Sequence, residues 1–208
     1  MNIFSKVPSV LVAFERSGVV RRAFQKLGCE AYSCDLEPAD DGERRRHIQG
    51  DVFTLGWSKV DIVVAHPPCT NICCSGARYF AEKRRDGRQQ EGIDTFLRCF
   101  KMGARRLCVE NPVGIMSTRF RKPDQIIQPW QFGHPESKAT CLWLVGLPRL
   151  VPTNILEKPT SGRWANQTPS GQNKLGPSKD RATIRSRTYE GIAGAMAAQW
   201  LPVLKGNP

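Results

Sequence analysis

Apolar positions fall along this chain in two patterns. Short apolar runs closed by Gly, Pro or an acid have the length of buried strands, and segments whose apolar residues return every three or four positions have a helical period. The run from Val7 to Phe14 is of the first kind. After Glu15-Arg16-Ser17-Gly18, residues Val19, Val20, Ala23, Phe24 and Leu27 recur at helical spacing until Gly28. A second strand is expected over Glu30 to Cys34, closing on Asp35, and a short third ends at Gly50-Asp51-Val52. Asp61-Ile62-Val63-Val64-Ala65 reads as a buried strand stopped by Pro67 and Pro68, because proline lacks the ladder donor and restricts the residue before it. A helix from about Gly92 to Met102 and a strand from Arg106 to Glu110 follow. Two further strands, near Gln125 to Gln131 and Thr140 to Val145, are joined by Gly133-His134-Pro135, a connection that predicts antiparallel pairing. A last helix runs from about Tyr189 to Trp200, with Ile192, Met196 and Trp200 at four-residue spacing.

Strands alternating with helices predict an α/β domain with a mostly parallel sheet and an antiparallel terminal hairpin. Two segments stand outside this rhythm. Thr70 to about Gln90 reads as a basic loop. Pro152 to Arg187 is rich in Pro, Gly, Ser, Thr, Asn and basic residues, with Trp164 as its one large aromatic, and reads as a loop-rich appendage. The expected organisation is a core over 1–151, the appendage over 152–187, and a C-terminal helix over 188–208 that packs back on the core.

The strand ends carry the candidate chemistry. Asp35, Asp51, Cys69 and Glu110 each lie at the C-terminal end of an expected strand, and in one parallel sheet these ends share the edge where ligands bind. Strand, Gly-containing turn, helix, strand and terminal acid form the first half of a nucleotide-binding unit. The glycine-rich phosphate fingerprint is missing, since only Gly18 is present.

Charge narrows the partner. The 31 Lys and Arg against 19 Asp and Glu, a net charge of +12, favour a polyanion such as nucleic acid. Ser75, Arg78, Lys83, Arg84, Arg85 and Arg88 follow directly after Cys69, as a lid closing over a phosphate backbone would require. The Val7–Phe14 run is too short to span a bilayer and meets Glu15 and Arg16, so no membrane association and a cytoplasmic location are expected. Eight cysteines in a chain of this size without an export signal are read as reduced thiols, with Cys34, Cys99, Cys108 and Cys141 packed as small hydrophobes.

Taken together, these features resemble the DNA cytosine-5 methyltransferases, and specifically a small, phage-type member with a reduced target-recognition region. Leu11 to Gly28 lies without gaps on that family's first motif, matching at Phe14, Gly18, Arg21, Ala23, Lys26 and Gly28. Pro68-Cys69 looks like its Pro-Cys nucleophile turn, Cys74 to Arg78 like the mobile loop after it, Glu110-Asn111 like the Glu-Asn of its base-binding strand, and Gly133 to Gly146 like its Gly-x-Pro-Gln-x-Arg-x-Arg strand.

The resemblance implies a Rossmann-like, S-adenosylmethionine-dependent methyltransferase fold and methylation of carbon 5 of a cytosine flipped out of double-stranded DNA. Cys69 would be the nucleophile, Glu110 would hold the pyrimidine, and Lys138 would place a charge near the base. Phe14, Ser17, Gly18, Asp35, Glu37, Asp51, Val52 and Pro67 would line the cofactor site. Ser75, Arg78, Arg84, Arg85, Arg88, Asn111, Arg163, Trp164 and Arg181 would contact DNA. No metal and no obligatory protein partner are implied, and a phage-encoded protein would act in the host cytoplasm. The small appendage implies a short recognition sequence.

Several positions depart from that pattern. Val12 replaces an acid, Arg16 and Val19 replace two glycines of the cofactor turn, and Glu136, Lys138 and Thr140 stand where the family has Gln and two arginines. Three other readings of the same residues are an amino methyltransferase built on His66-Pro67-Pro68-Cys69, a zinc site from His66, Cys69, Cys73 and Cys74, and a non-catalytic DNA-binding protein.

Overall fold

The computed structural model describes residues 7–170, 173–176, 178 and 181–205, without the side chains of 181–183. Seven strands form one sheet: β1 (Ser9–Ala13), β2 (Glu30–Asp35), β3 (His47–Gln49), β4 (Ile62–Ala65), β5 (Leu107–Pro112), β6 (Gln125–Ile127) and β7 (Thr140–Val145). Their order is β3-β2-β1-β4-β5-β7-β6. The first five strands pair in parallel, and β7 runs antiparallel to both β5 and β6. This doubly wound, Rossmann-like arrangement, with β7 reversed between β5 and β6, is the mostly parallel sheet with an antiparallel hairpin expected from the sequence.

The central strands are apolar on both faces, as sheets covered by helices on two sides must be. On one face Val10, Val12, Ile62, Val64 and Cys108 meet α1 (Val19–Lys26) and α6 (Glu190–Leu204) through Val20, Phe24, Met196 and Trp200. On the other, Leu11, Ala13, Val63, Ala65 and Val109 meet α3 (Arg88–Cys99) through Ile93, Phe96 and Cys99. Cys34, Cys99, Cys108 and Cys141 are fully buried. The three fully buried indoles each find a carbonyl: Trp57 Nε1 donates to Val52 O at 3.0 Å, Trp143 Nε1 to Arg121 O at 2.8 Å, and Trp200 Nε1 to Pro148 O at 3.0 Å.

The segment expected to be a basic loop after Cys69 is largely helical. It runs through a 3₁₀ turn over Cys74–Tyr79, then α2 (Phe80–Arg85), and then α3, which starts at Arg88. Ala81, Glu82, Lys83, Arg84 and Arg85 are strong helix formers, and Lys83 is drawn inward. It is 6% exposed, and its Nζ donates to Thr70 O at 2.6 Å.

The appendage leans on the connection between β6 and β7. Asn166 clamps the Ser137 peptide from both sides, Oδ1 accepting from Ser137 N at 3.0 Å and Nδ2 donating to Ser137 O at 2.9 Å. Leu156 N donates to Trp130 O at 2.9 Å. Beyond the short helices α4 (Met116–Arg119) and α5 (Arg181–Ser186), α6 begins at a close approach, because a Cβ at Gly191 would strike Phe132 O. Among the described residues, no helix is long and apolar enough to cross a membrane.

Candidate active site

Strand order reverses between β1 and β4, so the crevice of this fold opens beyond the C-terminal ends of those two strands. Phe14 leaves β1 there in a left-handed conformation, φ 60°, the single non-glycine residue of that kind among the described residues. Such backbone is sustained only where the surroundings fix it. Its ring meets Phe53 edge-on at 5.5 Å, and Phe53 stacks on Trp57 at 5.9 Å under the Arg98 guanidinium.

Glu15, which the sequence did not single out, is 4% exposed and sits at the head of α1. Its carboxylate accepts from Val20 N at 2.7 Å, from Arg21 N at 3.2 Å and from the Ser17 hydroxyl at 3.3 Å. An acid thus fills the amides that a nucleotide-binding turn offers to an anion. Gly18 is required where it stands: φ is +67°, and a Cβ would come within 2.5 Å of Arg21 Nη2 and Asp41 Oδ2.

Asp35 and Asp51 lie on the same edge, at the end of β2 and just after β3. Asp35 Oδ1 accepts from Glu37 N at 3.0 Å, and Asp51 Oδ1 caps the 3₁₀ turn Val52–Thr54 by accepting from Phe53 N at 2.9 Å. Each leaves acceptor capacity on its carboxylate. Val52 is buried and serves the core, whereas Glu37 is exposed.

Beneath them runs a buried polar chain that sequence reasoning also missed. Arg21 Nη1 donates to Ser33 Oγ at 2.9 Å, Ser33 Oγ lies 2.9 Å from His47 Nδ1, and His47 Nε2 lies 2.9 Å from Glu37 O. Because a carbonyl only accepts, His47 carries its proton on Nε2 and takes the Ser33 hydroxyl at Nδ1. The chain holds the acid-bearing loop against β2.

Across the switch point, β4 ends at Ala65 and enters His66-Pro67-Pro68-Cys69. Pro67 is buried, Pro68 exposed and Cys69 half-buried. Asn111 Nδ2 donates to Pro67 O and to Glu110 O, both at 2.8 Å. At 3% exposure Asn111 is therefore a clamp on the cysteine turn and does not face an open surface as expected of a DNA contact. Glu110, on β5, faces the same turn, and its Oε2 lies 2.9 Å from His66 Nδ1. Burial works to raise the Glu110 carboxyl, but His66, through its hydrogen bond and electrostatically, and the Lys138 ammonium together hold it below the usual carboxylate range.

Cys69 and Cys73 are electrostatically linked, each shifting the other's thiol. The link to Cys73, burial, and the negative charges of Cys73 and Glu110 push the Cys69 thiol well up, with Lys138 opposing. Cys73 goes the other way, to about 5, lowered first by Cys69 and then, against burial, by Ser75 and the Gly76 amide. Its sulfur lies 3.1 Å from Ser75 Oγ. The resting pair thus keeps its proton on Cys69.

Lys138, from the β6–β7 connection, acts on both Cys69 and Glu110, while its Nζ donates to Arg185 O at 2.7 Å. Its charge thus reaches Cys69 and Glu110 from a separate segment of the chain. Among the described residues no group of three or more His, Cys, Asp or Glu is arranged to hold a metal ion, and of the four candidate zinc ligands His66 is engaged by Glu110 and Cys74 is exposed.

The expected DNA contacts divide. Ser75, Arg78, Arg84, Arg85 and Arg163 are exposed. Arg88 is tied to Glu82 and Asp86, which reduces the charge it offers a phosphate. Trp164 is 6% exposed and lies parallel to Trp130, centroids 6.0 Å apart, so its ring is occupied by protein. A cleft of about 720 Å³ borders that pair, lined by Ser137, Lys158, Arg163 and Gln167 among others. The Arg181 side chain lies outside the described residues.

No protein-family model and no curated protein matches this sequence. Among solved structures, the chain is similar to a candidate DNA modification methyltransferase encoded within a prophage of E. coli, with 15% identity and a TM-score of 0.48. The alignment covers 72% of this chain and 52% of that one, so this chain spans about half that protein's length.

Proposed function

We propose that this protein is an S-adenosylmethionine-dependent DNA methyltransferase that acts on carbon 5 of cytosine through a covalent adduct at Cys69. The observation that carries the reading is that Cys69 and Glu110 stand near the C-terminal ends of the adjacent strands β4 and β5, at the ligand-binding edge, where the Glu110 charge raises the Cys69 thiol and the Lys138 ammonium opposes it. The cofactor's adenosine end suits the acids and rings at this edge: Asp35 and Glu37 as acceptors for ribose hydroxyls, Asp51 for an exocyclic amine, Phe14 and Phe53 as apolar walls. Its carboxylate end departs from the family pattern, because Glu15 already fills the α1 amides.

When bound, the cofactor supplies an electrophilic methyl group. The chain's own residues do the rest. Cys69 gives up its proton, for which the Cys73 sulfur is an adjacent acceptor, and adds to carbon 6, opening the 5,6 double bond and making carbon 5 nucleophilic. Glu110 accepts a hydrogen bond from the exocyclic amine as charge develops on the ring. After methylation, loss of the carbon 5 proton to solvent and expulsion of Cys69 restore the double bond. A stacked base cannot be attacked in this way, so the target must leave the duplex. The +12 net charge and exposed Arg78, Arg84 and Arg85 support a DNA backbone across this edge, with Arg163 and the neighbouring cleft on the appendage side.

The test is incubation with tritiated S-adenosylmethionine and duplexes containing cytosine or 5-fluorocytosine. A denaturation-resistant adduct with the fluorinated base, lost in Cys69→Ser, is expected. Methylation at the exocyclic nitrogen without an adduct would replace the reading with amino methylation, and DNA binding without transfer would replace it with a binding module.

A further inference from the structure

We propose that His66 is a positioning residue for Glu110: its Nδ1–H holds one carboxylate oxygen and leaves the other to read the exocyclic amine, so that the pair selects an aminopyrimidine over a ketopyrimidine. The inference rests on the function proposed above for Glu110.

The placement follows from register. In the parallel pair β4–β5, Ala65 lies beside Val109, so the next residues, His66 and Glu110, are neighbours and share the face of Val64 and Cys108. His66 N donates to Ala13 O at 2.9 Å, continuing the ladder to β1 and fixing the main chain from which the ring projects. The side chains are 9% and 15% exposed, and Nδ1 stands 2.9 Å from Oε2.

The second ring nitrogen decides the tautomer. Nε2 of His66 is buried and has no partner among the described residues. A proton there would be a buried donor without an acceptor, a costlier state than a bare lone pair. The proton therefore sits on Nδ1 and donates to Glu110. Charged and titratable groups facing this pair are Lys138 from the β6–β7 connection, Cys69 from the turn, Cys108 on β5 and Cys141 on β7.

A carboxylate with one oxygen held by a donor presents only an acceptor to the base. Cytosine offers it a 4-amino N–H. At that same position uracil and thymine carry a carbonyl oxygen, and their donor, N3–H, lies one ring position away, so an oxygen set on the 4-substituent meets a second acceptor in a buried site, the arrangement by which polar pockets reject analogues most strongly. Without His66, Glu110 loses its donor and becomes easier to protonate. A protonated carboxyl can donate to the 4-carbonyl of uracil.

The test compares wild type, His66→Ala and His66→Asn for the rate of adduct formation on 5-fluorocytosine and on 5-fluorouracil in the same duplex. With His66→Ala the cytosine rate falls about 10- to 100-fold, the range for lost orienting partners, and the cytosine-to-uracil ratio falls at least about tenfold. His66→Asn, whose amide N–H lies near the place of Nδ1–H, restores most of both, which a merely structural loss would not predict.

In parallel, nitrogen NMR of ¹⁵N-histidine protein locates the His66 proton among three histidines, His66→Asn providing the assignment. A protonated Nδ1 whose signal moves in Glu110→Gln is expected. A proton on Nε2 alone, or an unchanged base ratio in His66→Ala, overturns the inference. If the wild type forms no adduct with either base, the proposed function fails, and the NMR result still decides whether His66 holds Glu110.

Discussion

Replacing Asn111 by alanine separates fold from site. Its amide nitrogen donates to Pro67 O and Glu110 O, both at 2.8 Å, from a side chain only 3% exposed. Truncation leaves the buried Pro67 carbonyl without its donor, at a cost of about 1–3 kcal/mol. For a domain of this size, about 2 kcal/mol lowers Tm by roughly 4–8 °C. Pro67 is two residues from Cys69, so the same change frees the turn that aims the thiol. A displacement of about 1 Å at a reacting atom costs on the order of 100-fold in rate. Melting followed by circular dichroism, and adduct formation on 5-fluorocytosine at 20 °C below the transition, check the two effects separately. Asn111→Asp removes both donors and places a charge against two carbonyls, so it is expected to be less stable than Asn111→Ala. A Tm within about 1 °C of wild type together with an unchanged rate in Asn111→Ala would refute the role of the clamp.

Three further outcomes follow from the geometry. Cys73→Ala removes the neighbour that most raises the Cys69 thiol, so iodoacetamide labelling of Cys69, followed by peptide mass spectrometry, shifts to lower pH; an unchanged labelling profile contradicts the pairing. Gly18→Ala destabilises by at least about 1–2 kcal/mol, the cost of left-handed backbone, because Arg21, 1% exposed, cannot retreat from the new Cβ; urea unfolding measures it. Asp124 accepts from Leu144 N at 2.7 Å and Arg121 Nη1 at 2.8 Å, and these outweigh its burial to hold its carboxyl below the usual range. A folded value below the unfolded one gives stability that is complete above the ordinary aspartate range and is lost as pH falls through the folded value, so Asp124→Asn flattens the acid side of a stability–pH curve.

The centre of the sheet was legible because β1, β4 and β5 carry apolar runs, each with its own stop, and the stops carry the chemistry. Asp35, Asp51 and Glu110 end on the expected edge because parallel strands put their C-termini together. What escaped depends on distance in the chain. The Pro67–Asn111 and His66–Glu110 bonds each span 44 residues and require the β4–β5 register, which no local pattern contains. Trp164 stands among the expected DNA contacts because its partner, Trp130, lies in another segment and no local pattern links the two. The basic stretch after Cys69 has helix-forming composition, and its charge masked that signal; the burial of Lys83 against Thr70 O is a tertiary fact. Glu15 was within reach, as an acid just before a helix start is a capping signal.

The charge balance around Cys69 also bears on when the proposed chemistry begins. A thiolate there faces the Cys73 sulfur and the Glu110 carboxylate, both negative, with Lys138 as the opposing cation. The resting site therefore keeps Cys69 protonated, and a thiol is a poorer target than a thiolate for alkylation and oxidation. A bound cytosine changes this. Its amino group donates to Glu110, which offsets part of the carboxylate's field, and its ring excludes water around the thiol, which strengthens the pull of Lys138. On this reading the base itself lowers the Cys69 thiol, and a nucleophile forms only when its target is in place.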